Sequence, residues 1–176
     1  IGVLLVNLGT PDAPTTSAVR RYLKEFLSDP RVVEIPKAVW WLILNGIILN
    51  VRPRKSAHAY QQVWTADGSP LAAITKAQAA ALQERFGDSL VVRWAMRYGN
   101  PSIADELQAL KDAGCDRVLF APLYPQYSGA TTATAIDALG AKLAKMRWQA
   151  AIRTLPPYYD DPLHIEALRA DTARQL

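Results

Sequence analysis

The chain has 176 residues, with 20 Lys and Arg against 16 Asp and Glu, and half of it is hydrophobic. That length suits one ordinary domain with a little to spare, and the apolar fraction excludes intrinsic disorder. A single cysteine, Cys115, excludes a disulfide scaffold, and a net charge of +4 without basic clusters among stacking aromatics is no nucleic-acid footprint.

The first residues, IGVLLVNLGTPD, carry no Met and no basic segment, so residues 2–8 read as a core strand and not as a signal peptide. Residues 16–27 place Val19, Leu23, Phe26 and Leu27 at helical spacing. Residues 38–49, AVWWLILNGIIL, are broken by Asn45 and Gly46 and are too short to cross ~30 Å of hydrocarbon as a helix. Two adjacent Trp cannot both face one core. The segment is either a partly buried core helix or an exposed apolar lip for a greasy ligand or a membrane surface. Short and long helices follow at 56–64 and 71–86. Strands at 90–96, 117–123 and 149–155 then alternate with helices at 103–113, 132–145 and 162–176, and Gly114 stops the first of these.

Near-continuous apolar strands alternating with helices predict an α/β fold, a doubly wound four-stranded parallel sheet covered on both faces. The first crossover is too long for one helix, so residues of about 15–86 are expected to form a helical insertion over one end of the sheet. Ligands in such folds lie beyond the carboxyl ends of the strands, here in the loops at 7–14, 97–101 and 124–132. Residues 156–162, PPYYDDP, are the candidate boundary. The final helix stands where another strand would normally follow, so the ending reads as the start of something that continues.

Four motifs fall in or beside those loops. Asn7-Leu8-Gly9-Thr10-Pro11 follows a strand but lacks the glycines and lysine of a phosphate loop, and is otherwise a tight turn. Arg52-Pro53-Arg54-Lys55 offers a guanidinium that could clamp a carboxylate, with the Tyr60 phenol nearby. Ser69 of Gly68-Ser69-Pro70 is also the natural cap of the next helix. Met96-Arg97-Tyr98-Gly99-Asn100-Pro101 ends one strand, with Ser102 as a helix cap, and Pro122-Leu123-Tyr124-Pro125-Gln126-Tyr127-Ser128 ends another.

Together, in this order, these motifs resemble those of the ferrochelatases, which insert ferrous iron into protoporphyrin IX in haem synthesis. The resemblance runs from residue 2 to about residue 132. It implies a two-domain Rossmann-type fold with the porphyrin cleft between the domains. Residues 1–160 would be the amino-terminal domain and 161–176 a helix linking it to a second domain outside this chain. It implies that Arg52 pairs with propionates, that Tyr60 and Ser69 contact the porphyrin, and that Leu8 lies beside the macrocycle. Arg97, Tyr98 and Tyr124 would line the cleft, and Trp40, Trp41 and Leu42 would belong to an apolar lip that also meets the membrane.

The family's catalytic His and partner Glu belong to the second domain. His58 and His164 lack the surrounding motif, so the resemblance implies no catalytic and no metal-ligating residue here, and no activity of this chain alone. Gly129 stands where some members carry an iron–sulfur Cys, so no cofactor is expected, only the substrates protoporphyrin IX and Fe2+. The expected location is cytoplasmic, with peripheral contact at the inner membrane through residues 38–49. A porphyrin is a large apolar disc with two carboxylates on one edge, and an apolar slot, aromatic walls and arginines suit it independently. The alternatives are a non-enzymatic tetrapyrrole carrier, a chelatase for another tetrapyrrole or metal such as cobalt, and a flavodoxin-like mononucleotide binder.

Overall fold

A computed structural model describes residues 1–175. Strands β1 (Gly2–Gly9), β2 (Val91–Tyr98), β3 (Arg117–Pro122) and β4 (Ala151–Thr154) form one parallel sheet in the order β2-β1-β3-β4. This is the predicted doubly wound class, and its switch point lies between β1 and β3.

Strand alternation divides the core into two. Leu4 and Val6, Ala95, Val118 and Phe120 point to one face, where α5 (Ile103–Asp112) and α6 (Thr134–Leu143) cover them with Leu107, Leu110, Ala135 and Leu139. Cys115 is buried in the same cluster as a small hydrophobe. Val3, Leu5, Val92 and Trp94 point the other way and meet Ala79 and Leu82 of α4 (Pro70–Phe86).

Two features differ from the sequence reading. The expected insertion of about 15–86 ends near residue 64, because α4 is the ordinary crossover helix of β1 and β2. Its small Ala-rich face lets it sit close on the sheet, and Asn7 Nδ2 donates to Thr75 Oγ1 at 3.1 Å to tie it to the end of β1. The insertion proper is α1 (Thr16–Leu27) and a long rod from residue 37 to 63. Secondly, the rod is continuous where two separate segments were expected. It comprises α2 (Lys37–Ile43), a π-helical turn (Leu44–Ile48) and α3 (Leu49–Val63), so α3 starts seven residues earlier than predicted.

The π turn absorbs Asn45 and Gly46 instead of breaking the helix. Leu49 N–H reaches back to Leu44 O, and Asn50 Nδ2 donates to the carbonyls of Asn45 at 3.0 Å and Gly46 at 2.9 Å. Pro53 has no N–H to offer the carbonyl four residues back, so a helix loosened just before it loses less than a regular one would. The rod and α1 bury Val19, Leu23, Leu27, Leu44, Leu49 and Ala57 around Tyr98, over the carboxyl ends of β1 and β2.

Two glycines let the loops after β1 and β2 interlock. At Gly9 (φ +128°) a Cβ would stand 2.0 Å from Tyr98 O, and at Gly99 (φ +87°) one would stand 2.6 Å from Thr10 O. Only glycine fits either position. The close approach sets Leu8 beside Tyr98 in one cluster. Among the described residues, no helix is long and apolar enough to cross a membrane.

Candidate functional site

The loops at the carboxyl ends of β1, β2 and β3 meet the insertion in a tyrosine-lined region. Tyr22 of α1 is buried and donates to Gly9 O at 3.3 Å. It stacks with Phe26, which meets the edge of Tyr98 at a centroid distance of 5.1 Å. Tyr60 of α3 is half-buried against the same cluster as Leu8 and Trp40, and meets Trp64 edge to face at 6.3 Å. Tyr124, after β3, has a buried hydroxyl with no partner among the described residues.

Burial raises the pKa of all four phenols, to about 12 for Tyr98. The Arg52 charge opposes the rise at Tyr60, and the Arg97 charge opposes it at Tyr98 and Tyr124. At neutral pH the four phenols are therefore neutral; Tyr22 and Tyr98 spend their hydroxyls inside the protein, while Tyr124 keeps one without a partner among the described residues and Tyr60 is half-buried.

Arg52 is exposed on α3, about two turns before Tyr60, and makes no ion pair among the described residues. Arg54 and Lys55 beside it are likewise exposed and outside any ion pair there. Ser69 is buried as the N-cap of α4, yet its side chain makes no capping bond, so the sequence-based capping role is not the one its hydroxyl plays.

Arg97 is the most heavily engaged of the predicted residues. Its Nε donates to Thr134 O at 2.9 Å and Thr134 Oγ1 at 2.7 Å, and Nη2 donates to Asp29 Oδ2 at 2.6 Å. Its guanidinium lies 4.3 Å from the centre of the Tyr98 ring. Tyr98 is fully buried and donates to Asp29 Oδ2 at 2.9 Å, and Thr134 Oγ1 donates to the same oxygen. Burial pushes the Asp29 carboxyl up. The hydrogen bonds from Thr134, Arg31 N–H and Tyr98, with the Arg97 charge, outweigh that and hold it below its ordinary value.

The lip residues split as adjacent Trp must. Trp40 points inward and donates Nε1–H to Leu27 O at 2.6 Å, whereas Trp41 and Leu42 are 61% and 64% exposed. With Val39, Ile47 and Val51 they leave a large apolar surface bare along the rod. An apolar cavity of about 210 Å³ lies at its base between Val33, Ile35, Trp40, Trp41 and Leu44.

Leu8, Tyr60, Tyr98 and Trp40 thus share one cluster, the Arg97 charge is felt at Tyr124, and the Arg52 charge is felt at Tyr60. Ser69 stands apart at the head of α4. Sequence reasoning missed Tyr22, Asp29 and Thr134. Only the fold brings Asp29 to Thr134.

The sequence profile of the ferrochelatase family matches residues 1–176. The chain belongs to the ferrochelatase family. It is 61% identical to a ferrochelatase of Teredinibacter turnerae over 99% of this chain and 48% of that one. It is 56% identical to one from Nitrosomonas europaea, over 96% of this chain and 47% of that one, and 54% identical to one from Rhizobium meliloti, over 100% and 53%. It spans about half the length of these curated relatives. Family membership sets aside the mononucleotide-binding alternative, whose strand order this ferrochelatase-family sheet shares.

Two further placements bear on chemistry. His58 is exposed on α3, and His164 at the start of α7 (Pro162–Gln175) packs edge to face on Tyr158 at 5.1 Å. Among the described residues, no three His, Cys, Asp or Glu side chains gather closely enough to hold a metal ion.

Proposed function

We propose that this chain is the porphyrin-binding half of an enzyme that inserts ferrous iron into protoporphyrin IX. The observation that carries this reading is the position of Arg52, an exposed guanidinium outside any ion pair among the described residues, about two helical turns from the half-buried Tyr60, which packs with Leu8 and Trp40 against the Tyr98 cluster. An apolar disc with carboxylates on one edge matches both parts. The rings meet Leu8, Tyr60 and the lip, and a propionate pairs with Arg52 in two parallel hydrogen bonds. Tyr124 supplies a donor that the free protein leaves unused.

Within that reading the chain's task is to bind and bend. Contacts over the whole macrocycle supply binding energy, and a rigid wall on one side lets that energy push the pyrrole nitrogens out of plane. His58 is exposed and His164 packs on Tyr158, and neither has the family's catalytic motif around it, so on this reading the base for the pyrrole protons comes from the remainder of the protein. Ferrous iron is a substrate, delivered by that remainder. The exposed apolar side chains Trp41, Leu42, Ile47 and Val51 suit peripheral contact with the membrane, where a poorly soluble porphyrin resides.

The test is Arg52→Ala in the complete enzyme. Loss of a bidentate, charge-assisted pair should raise the KM for protoporphyrin by on the order of tenfold or more, with a smaller effect on kcat. An unchanged KM would remove the propionate role.

A further inference from the structure

Asp29 is not among the residues that the sequence singled out, yet more polar groups converge on its carboxylate than on any other group of the site described above. Oδ2 accepts from Arg97 Nη2, Tyr98 Oη and Thr134 Oγ1, and Oδ1 accepts from Arg31 N–H at 2.8 Å. Its side chain is only 8% exposed. These partners come from three separate parts of the chain. Arg97 and Tyr98 end β2, Thr134 opens α6, and Arg31 lies in the loop from α1 to α2 that carries the lip. The same loop folds on Asp29 through its backbone, since Val32 and Val33 both donate to Asp29 O at 3.0 Å. A second tie, Arg31 to Asp137 of α6, lies alongside at the surface.

We propose that Asp29 is a positioning residue for porphyrin binding. Its carboxylate pins the loop that leads to the lip to the end of the sheet and holds the Arg97 guanidinium over the Tyr98 ring, so that this wall of the cleft is set before the ligand arrives. The inference rests on the porphyrin-binding reading above. Its physical content is preorganisation: a wall already ordered loses less freedom on binding than one the ligand must order. A carboxylate is suited to this because it accepts from several donors at once, and the partly buried Arg97 charge is costly to leave unpaired. Arg97 thereby has its Nε and Nη2 committed within the protein and serves first to hold this wall together.

The test uses the complete enzyme and three variants, Asp29→Asn, Asp29→Asn with Arg97→Gln, and Arg52→Ala. Asp29→Asn is expected to weaken protoporphyrin binding by about tenfold, with kcat at saturation changed less than about twofold. Amide hydrogen exchange of Arg31, Val32 and Val33 in the ligand-free variant should be faster than in the wild type. The double variant leaves no unpaired buried charge. It should recover the urea midpoint lost by Asp29→Asn, but not the porphyrin affinity. Wild-type affinity in Asp29→Asn would overturn the proposal. So would recovery of affinity in the double variant, because Asp29 would then only neutralise Arg97. If Asp29→Asn binds weakly while Arg52→Ala binds normally, the positioning role stands and the propionate assignment fails. If the wild type does not bind protoporphyrin at all, both readings fail together.

Discussion

Replacing Gly9 by alanine tests whether the crossing of the β1 and β2 loops builds the site. At φ +128° an L-residue is strained by roughly 1–3 kcal/mol. The new Cβ would also stand 2.0 Å from Tyr98 O, and the obstacle is the backbone of the neighbouring strand β2, not the end of a flexible side chain. Overpacking of that kind costs roughly 1–3 kcal/mol. The two effects together come to about 2–6 kcal/mol, against a total stability of about 5–15 kcal/mol for an ordinary domain. Two other glycines separate the contributions. Gly68→Ala carries a positive φ of +96° but meets nothing within 4 Å, so it should show strain alone. Gly140→Ala, inside α6 with open space around it, should be stabilising by about 0.5–1 kcal/mol. Urea unfolding of the three variants, read by far-UV circular dichroism with the denaturant slope held in common, gives the comparison. A Gly9→Ala loss within about 1 kcal/mol of the Gly68→Ala loss would refute the close approach as the cause. Because Leu8 precedes Gly9 and lies in the phenol cluster, the shift that relieves the clash should also displace a porphyrin contact.

Two further outcomes follow from polar groups in the site. Tyr124→Phe removes a buried hydroxyl that lacks a partner, so the free protein should gain up to about 1 kcal/mol of stability while porphyrin binding weakens. A loss of both in parallel urea and titration experiments would mean that the hydroxyl is bonded within the protein. The Asp29 carboxyl titrates below its ordinary value, so its contribution is complete above the unfolded value near pH ~4 and fades as pH falls through the folded one. The stability gap between wild type and Asp29→Asn should therefore be flat from pH 7 to 5 and narrow towards pH 3. A gap that is unchanged or wider at pH 3 would contradict the network.

The strands were legible because a parallel sheet buried on both faces demands apolar runs, and such runs are visible whatever they pack against. The helix cap at Ser102 was local too, since its side chain bonds a backbone N–H three residues on. The outward Trp41 and inward Trp40 followed from the angle between adjacent helical residues. The family was legible in short motifs because each needs particular residues at fixed spacing. Arg52 with Tyr60, and the tight turn at Gly9, are of that kind.

What the tertiary structure decided is the company those residues keep. Sequence spacing gave Arg97 the aspect of a free cationic wall, and only the fold shows its Nε and Nη2 committed to Thr134, 37 residues away, and Asp29, 68 residues away. The end of the insertion was also undecidable in sequence. A helix that roofs the sheet and one that caps its end carry similar composition, and the difference lies in which strands α4 meets. Asn45 and Gly46 looked like a break, but Asn50 one turn later supplies the hydrogen bonds that turn them into a π turn. Patterns of apolar spacing are properties of a segment, whereas hydrogen-bond partners across the fold are properties of its closure, and the chemistry of this site depends on the second kind.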